Sequence, residues 1–178
     1  MDRPVELIPL VCIKCSTPIP AEPQEVAWVC SLCGQGMLLQ EQQGLTGLQV
    51  NYAEGIPPGC NGRPFWVTEG SITLMRETYS GNKDREAQEF WKRPHTFFVP
   101  AFACNLESLL SLGTQLLLNP PAYQPGLPCP FEPVVLPLED VQATADFIVM
   151  AIEAGRKDKL KKVDFSLQLA NPSLWILP

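Results

Sequence analysis

Cys12-Ile13-Lys14-Cys15 and Cys30-Ser31-Leu32-Cys33 are two identically spaced cysteine pairs separated by fourteen residues. Two C-x2-C pairs at this distance close a tetrahedron of thiolates around one metal ion. Zn²⁺ is the usual occupant and iron the alternative. Four thiolates fill every coordination position, which leaves none for substrate or an activated water and makes the metal structural. A redox role would need each pair to follow a strand and open a helix in a βαβ unit, and no such pattern surrounds them.

Outward from the cysteines, Leu7 to Val11 leads into the first pair and Val26 to Val29 into the second. Both read as short strands, with Met37-Leu38-Leu39 as a third. Pro18, Pro20 and Pro23 keep the intervening segment extended. Gly34, next to the last cysteine, can take the positive φ that turns backbone amides toward thiolates. Residues 7–40 resemble the zinc-ribbon family, in which two knuckles pinch a small three-stranded sheet. The resemblance implies Cys12, Cys15, Cys30 and Cys33 as the ligands and a ribbon unit over residues 1–45. It implies no single function, because ribbons serve many.

Glu41 to Gly62, rich in Gly, Gln and Pro, reads as a linker or a surface-hugging connection, with residues 46–62 as the linker proper, and a second unit over 63–178 follows. Phe65 to Tyr79 reads as a strand with a bulge at Gly70, Glu86 to Trp91 as a short helix, and Thr96 to Val99 as a buried strand. Asn105 caps a helix running to Leu118 whose apolar stripe is Leu106, Leu109, Leu110, Gly113, Leu116 and Leu117. Seven prolines between Asn119 and Pro137 forbid regular structure there. Leu138 to Ala154 is the second main helix, with Val141, Ala145, Ile148 and Ile152 on its buried side and Gly155 as its stop. Val163, Phe165, Leu167 and Leu169 alternate with Asp164, Ser166 and Gln168, the signature of a half-buried strand. Asn171-Pro172-Ser173 then predicts a turn into an antiparallel partner, Leu174 to Leu177. The class is α+β: a four-cysteine zinc ribbon followed by a mixed, mainly antiparallel sheet with two main helices. This second unit resembles uncharacterised bacterial proteins that set a ribbon before a body with Phe-Trp and Phe-Phe-Val-Pro-Ala-Phe elements, here Phe65-Trp66 and Phe97 to Phe102. That resemblance implies no activity.

Charge narrows the partners. The chain carries a formal −6, and ionising four thiols around one Zn²⁺ takes it to −8. Residues 1–45 set Arg3 and Lys14 against Asp2, Glu6, Glu22, Glu25 and Glu41, a surface that phosphate backbones repel. Nucleic acid is therefore disfavoured, and a ribbon acting on nucleic acid is the alternative rather than the leading expectation. Met1-Asp2-Arg3-Pro4 does not open a basic-then-apolar leader, and no stretch has the ~20 apolar residues of a membrane span. Of the seven cysteines, Cys60, Cys104 and Cys129 follow no disulfide framework, which points to a reducing, cytoplasmic setting.

Three further candidates arise outside the cysteine pairs. Cys104, just before the Asn105 cap, with His95 as its base, would make a thiol-dependent enzyme. Free cysteine in Ala101-Phe102-Ala103-Cys104 is more simply a core residue. Arg156, Lys157, Lys159, Lys161 and Lys162 form a basic patch able to bind an anion, or merely to complement the preceding helix dipole. Leu174, Trp175, Ile176 and Leu177 are apolar on both faces. They must lie inside a sheet or form an interface with a protein partner or a second copy. With no catalytic constellation in view, the expectation is a non-enzymatic, zinc-stabilised binding or scaffold protein.

Overall fold

The computed structural model describes residues 10–81 and 83–178, so the expected strand over Leu7 to Val11 falls largely outside the described residues. The protein is mixed α+β, with a four-cysteine cluster near its N-terminus.

The first sheet is a three-stranded antiparallel meander of β1 (Ala27–Val29), β2 (Gly36–Gln40) and β3 (Gly44–Leu48). The second contains β4 (Val50–Tyr52), β5 (Arg63–Ser80), β6 (His95–Pro100), β7 (Lys159–Leu169) and β8 (Ser173–Leu177). Among the described residues three α-helices accompany it: α1 (Asp84–Trp91), α2 (Leu106–Leu118) and α3 (Val141–Ala154), the last entered through a 3₁₀ turn at Leu138–Asp140. The short α1 thus joins the two main helices. Asn105 caps α2 by accepting the Ser108 amide at 2.8 Å. The expected side of α3 is buried, with Val141, Ala145, Ile148 and Ile152 in the core, whereas Leu106 of the expected α2 stripe is exposed.

β5 organises the second sheet. Its first half pairs with β6 on one side and β8 on the other, and its second half pairs with β7, all antiparallel. β7 and β8 follow one another along the same edge of β5: Gly70 faces Leu169 and Val67 faces Ser173. The expected β7–β8 hairpin is therefore corrected. Asn171-Pro172 is a jog between two collinear strands, possible because β5 has 18 residues and offers room for both partners end to end. The bulge expected at Gly70 is corrected too, since Gly70 is paired with His95 on one side and Leu169 on the other, and the register of β5 against β7 shifts further along, between Glu77 and Ser80. Glycine is needed at Gly70 because an added Cβ would lie 2.6 Å from the Phe97 ring.

The apolar strand at residues 174–177 takes the interior option. β8 lies between β5 and the parallel β4, and Leu174, Ile176 and Leu177 are buried, while Trp175 packs edge-on against Tyr123. Leu174, Ile176 and Leu177 are thus core rather than interface residues, in a strand paired with β5 on one edge and β4 on the other, and Trp175 is half-buried on the face opposite Leu174 and Ile176. The linker expected over 46–62 is also revised: β3 and β4 occupy its first part, where Leu48, Val50 and Tyr52 pack against the main core.

One face of the first sheet joins the main core, while Trp28 and Met37 on its other face form a small separate cluster with Cys12 and Cys30. The Val26 amide donates to the Val134 carbonyl at 2.9 Å, and Ala27 and Leu38 join Trp66, Val134 and Leu174 in one buried cluster.

Candidate metal centre

The two knuckles are built alike. The amide after each pair returns to its first cysteine, Ser16 to the Cys12 carbonyl at 2.8 Å and Gly34 to the Cys30 carbonyl at 2.9 Å. In turn Cys12 donates to Thr17 at 2.8 Å and Cys30 to Gln35 at 2.9 Å. Both turns require a left-handed residue, supplied by Gly34 (φ 72°) and by Ser16 (φ 61°). The sequence marks the first with glycine and gives no sign of the second.

These turns aim four sulfurs at one point. All four Sγ atoms lie within 4.8 Å of one another, with Cys12 to Cys33 at 3.5 Å and Cys15 to Cys30 at 3.6 Å. Four thiolates bound about 2.3 Å from a shared ion stand about 3.8 Å apart, so the donor set fits a tetrahedral metal. Cys12 and Cys30 are buried, and Trp28 and Met37 pack behind them.

The local dipoles are unequal. The Thr17 hydroxyl, 3.2 Å from the Cys15 sulfur, and the Thr17 amide bring that thiol down to about 6. The amides of Lys14 and Cys15 overcome the upward pull of burial and hold Cys12 below its ordinary value. The Gln35 amide favours the Cys33 thiolate, but burial and the three neighbouring sulfurs outweigh it and push Cys33 up to about 12. Four thiolates crowded together repel one another, and a dication removes that repulsion. Gly36 supports the site from β2: a Cβ there would stand 2.2 Å from the Leu48 carbonyl oxygen. Gly36→Ala must therefore spread β2 from β3 and is expected to lower stability by about 1–3 kcal/mol. Urea unfolding monitored through Trp28 fluorescence checks this, and an unchanged midpoint would refute the close approach.

The other candidates are scattered. His95 pairs with Gly70 on β5, and its ring stacks on Phe90 and bonds the Phe90 carbonyl through Nε2 at 2.8 Å. Cys104 shares a groove with Arg63, seven residues along the same strand or roughly 23 Å away. Burial, then the nearby Glu132 carboxylate, pushes the Cys104 thiol up, which is the wrong direction for a nucleophile. The basic patch is split: Arg156 and Lys157 follow α3, and Lys159, Lys161 and Lys162 are exposed residues of β7. Arg156 pairs with Glu153 and Glu86, Lys161 with Glu77, and Lys162 with Asp164.

Two features escaped the sequence. A groove of about 680 Å³ runs between the cysteine head and the second sheet, lined by Gln35, Leu48, Asn51, Tyr52, Pro125 and Trp175. Its walls come from segments far apart in the chain, so no motif announces it. The second feature is a buried ion cluster. Arg76 meets Asp158 through two bonds of 2.6 and 3.0 Å, Glu153 at 3.0 Å and Asp84 at 3.2 Å. The side chains of Arg76, Asp158 and Glu153 have no exposed surface. Glu153 also accepts from Trp91 at 2.7 Å and from Arg156 at 2.9 Å. Its signal was Arg76 standing in the same alternating row as Ile72 and Leu74.

Compared with protein families, curated proteins and solved structures, the chain finds no match. The thiolate geometry, rather than kinship, therefore carries the assignment of a metal site. Among the described residues, no helix is long and apolar enough to cross a membrane.

Proposed function

We propose that this chain is a non-enzymatic, cytoplasmic binding or scaffold protein of zinc-ribbon type, with Zn²⁺ held by Cys12, Cys15, Cys30 and Cys33. The observation that carries the proposal is the pair of apolar knuckle tips presented by the four-sulfur cluster. Ile13 is 50% exposed and Leu32 is 73% exposed, each within its C-x2-C turn. Large side chains held outward on a metal-pinned turn lose little freedom on docking, which favours recognition of a protein surface. A closed thiolate set holds the head in shape and leaves the metal no open position for chemistry.

Ile13→Glu combined with Leu32→Glu tests this directly. Both residues are exposed, so stability should stay within about 0.5 kcal/mol of the parent and the metal content unchanged. Affinity capture from native lysate, with metal analysis of the recovered protein, should return partners with the parent chain and lose them with the double variant. Identical partners for both proteins would remove the knuckle tips from the binding surface.

A further inference from the structure

The open edge of β7 is the feature that these roles leave unused. Among the described residues β7 pairs with β5 alone, in continuous register from Val163 opposite Arg76 to Leu169 opposite Gly70. Amide and carbonyl directions alternate along a strand, so alternate residues point to opposite neighbours. Ala170 donates inward to Glu69 on β5 at 2.8 Å. Leu169, Leu167, Phe165 and Val163 therefore direct their backbone groups outward. The Leu167 carbonyl confirms the phase, because Gln142 of α3 reaches it from outside at 3.4 Å. Beyond that contact, the outward N–H and C=O groups of Val163 and Phe165 meet no hydrogen-bond partner among the described residues. The side chains of Val163, Phe165 and Leu167 are only half-buried, so the core-facing row ends at an incompletely covered margin.

Charge selects what can lie there. The edge begins beside Lys157, Lys159, Lys161 and Lys162, and only Glu77 and Asp164 answer the last two, on a chain whose net charge is −6. Lysines on an open edge discourage pairing between copies of one protein and draw in a strand of opposite sign. We propose that β7 is a strand-addition site for an extended segment of another protein in which apolar residues alternate with Asp or Glu. The proposal rests on the binding-module reading and names the chemistry of one partner. Main-chain bonds to Val163 and Phe165 supply the docking frame, the apolar residues extend cover over the half-buried row, and the acidic residues meet the lysines.

The test uses the full metal-loaded chain and a synthetic peptide alternating valine and glutamate, with a valine–lysine peptide as control. Amide hydrogen exchange followed by NMR should show the Val163 and Phe165 amides exchanging freely alone and slowed roughly tenfold or more by the glutamate peptide. Binding should weaken as salt rises and be absent for the lysine peptide. Val163→Pro deletes an outward amide that β5 does not use, so the variant should fold and fail to bind. Should that variant misfold, Lys159→Glu with Lys161→Glu and Lys162→Glu replaces it, and roughly tenfold weaker binding is expected. Unslowed Val163 and Phe165 amides, or equal binding of both peptides, overturn the proposal. Slowing confined to the knuckles or β4 also overturns the edge site while leaving the binding-module reading intact. Protection of these two amides that grows with protein concentration alone assigns the edge to a second copy, and again overturns it.

Discussion

Protein carrying Cys30→Ser is expected to purify without metal and without an ordered head. Removing one thiolate opens the tetrahedron, and the small cluster of Cys12, Trp28, Cys30 and Met37 cannot hold β1 to β3 by itself. Structural zinc contributes about 10–16 kcal/mol in isolated zinc-binding peptides, an upper bound for a head that also leans on Val134. Because Ala27 and Leu38 belong to the main core, the damage should spread into the second sheet and lower its melting temperature. Elemental analysis should find one metal ion per parent chain and none in the variant, with Trp28 fluorescence moving toward that of exposed indole. Thiolates take up protons before they release metal, so acidification of the parent should reproduce the same spectral change. One equivalent of metal retained by Cys30→Ser would exclude the four-thiolate site.

Arg76→Ala should produce the second largest loss. The substitution leaves Asp158 and Glu153 buried without their main cation, and breaking such a pair from one side costs about 3–5 kcal/mol. For a chain of this size that is a fall of roughly 6–20 °C in Tm. Replacing all three ions together, as Arg76→Met, Asp158→Asn and Glu153→Gln, should be milder, because no uncompensated charge remains. Acid sharpens the test. The Arg76 hydrogen bond, opposed by burial, holds the Asp158 carboxyl below its ordinary 3.8. The contribution of that carboxylate is complete above about pH 4 and drains as pH falls through the lower folded value. Stability should therefore drop more steeply below pH 4 in the parent than in Arg76→Ala. Parallel urea curves for the two proteins between pH 2 and 6 would show that Asp158 is not coupled to Arg76.

Legibility followed the range of the interaction. The four cysteines were readable because their spacing encodes a local tetrahedron, and Asn105 because its cap closes within three residues. Val163 to Leu169 was readable from its own alternation. Partnership was not readable. Asn171-Pro172-Ser173 carries the residues of a hairpin turn, and only the length of β5 shows that both flanking strands can share its edge. Composition likewise concealed β3 and β4, because Gly44 and Gly47 in β3 and the glycines and prolines that follow β4 suit a linker until Leu48, Val50 and Tyr52 find the main core. Arg76 needed the converse inference: a cation in an apolar row implies buried anions, here Glu153 and Asp158, with the half-exposed Asp84 beside them.

The pairing of β5 also fixes an order of assembly. Cysteine ligands no more than 21 residues apart can gather as soon as they leave the ribosome. In contrast, β5 and β4 wait for partners at residues 159–177, made about 80 to 125 residues later. Throughout that interval β6 is the one partner β5 has met, its other edge stays unzipped, and the nascent chain is at its stickiest. Ribosome-bound chains stalled before residue 159 should hold metal yet remain open to protease along the second half of β5, which β6 does not reach. The head is thus ready for its ion while the rest of the molecule still depends on whatever shields it during synthesis.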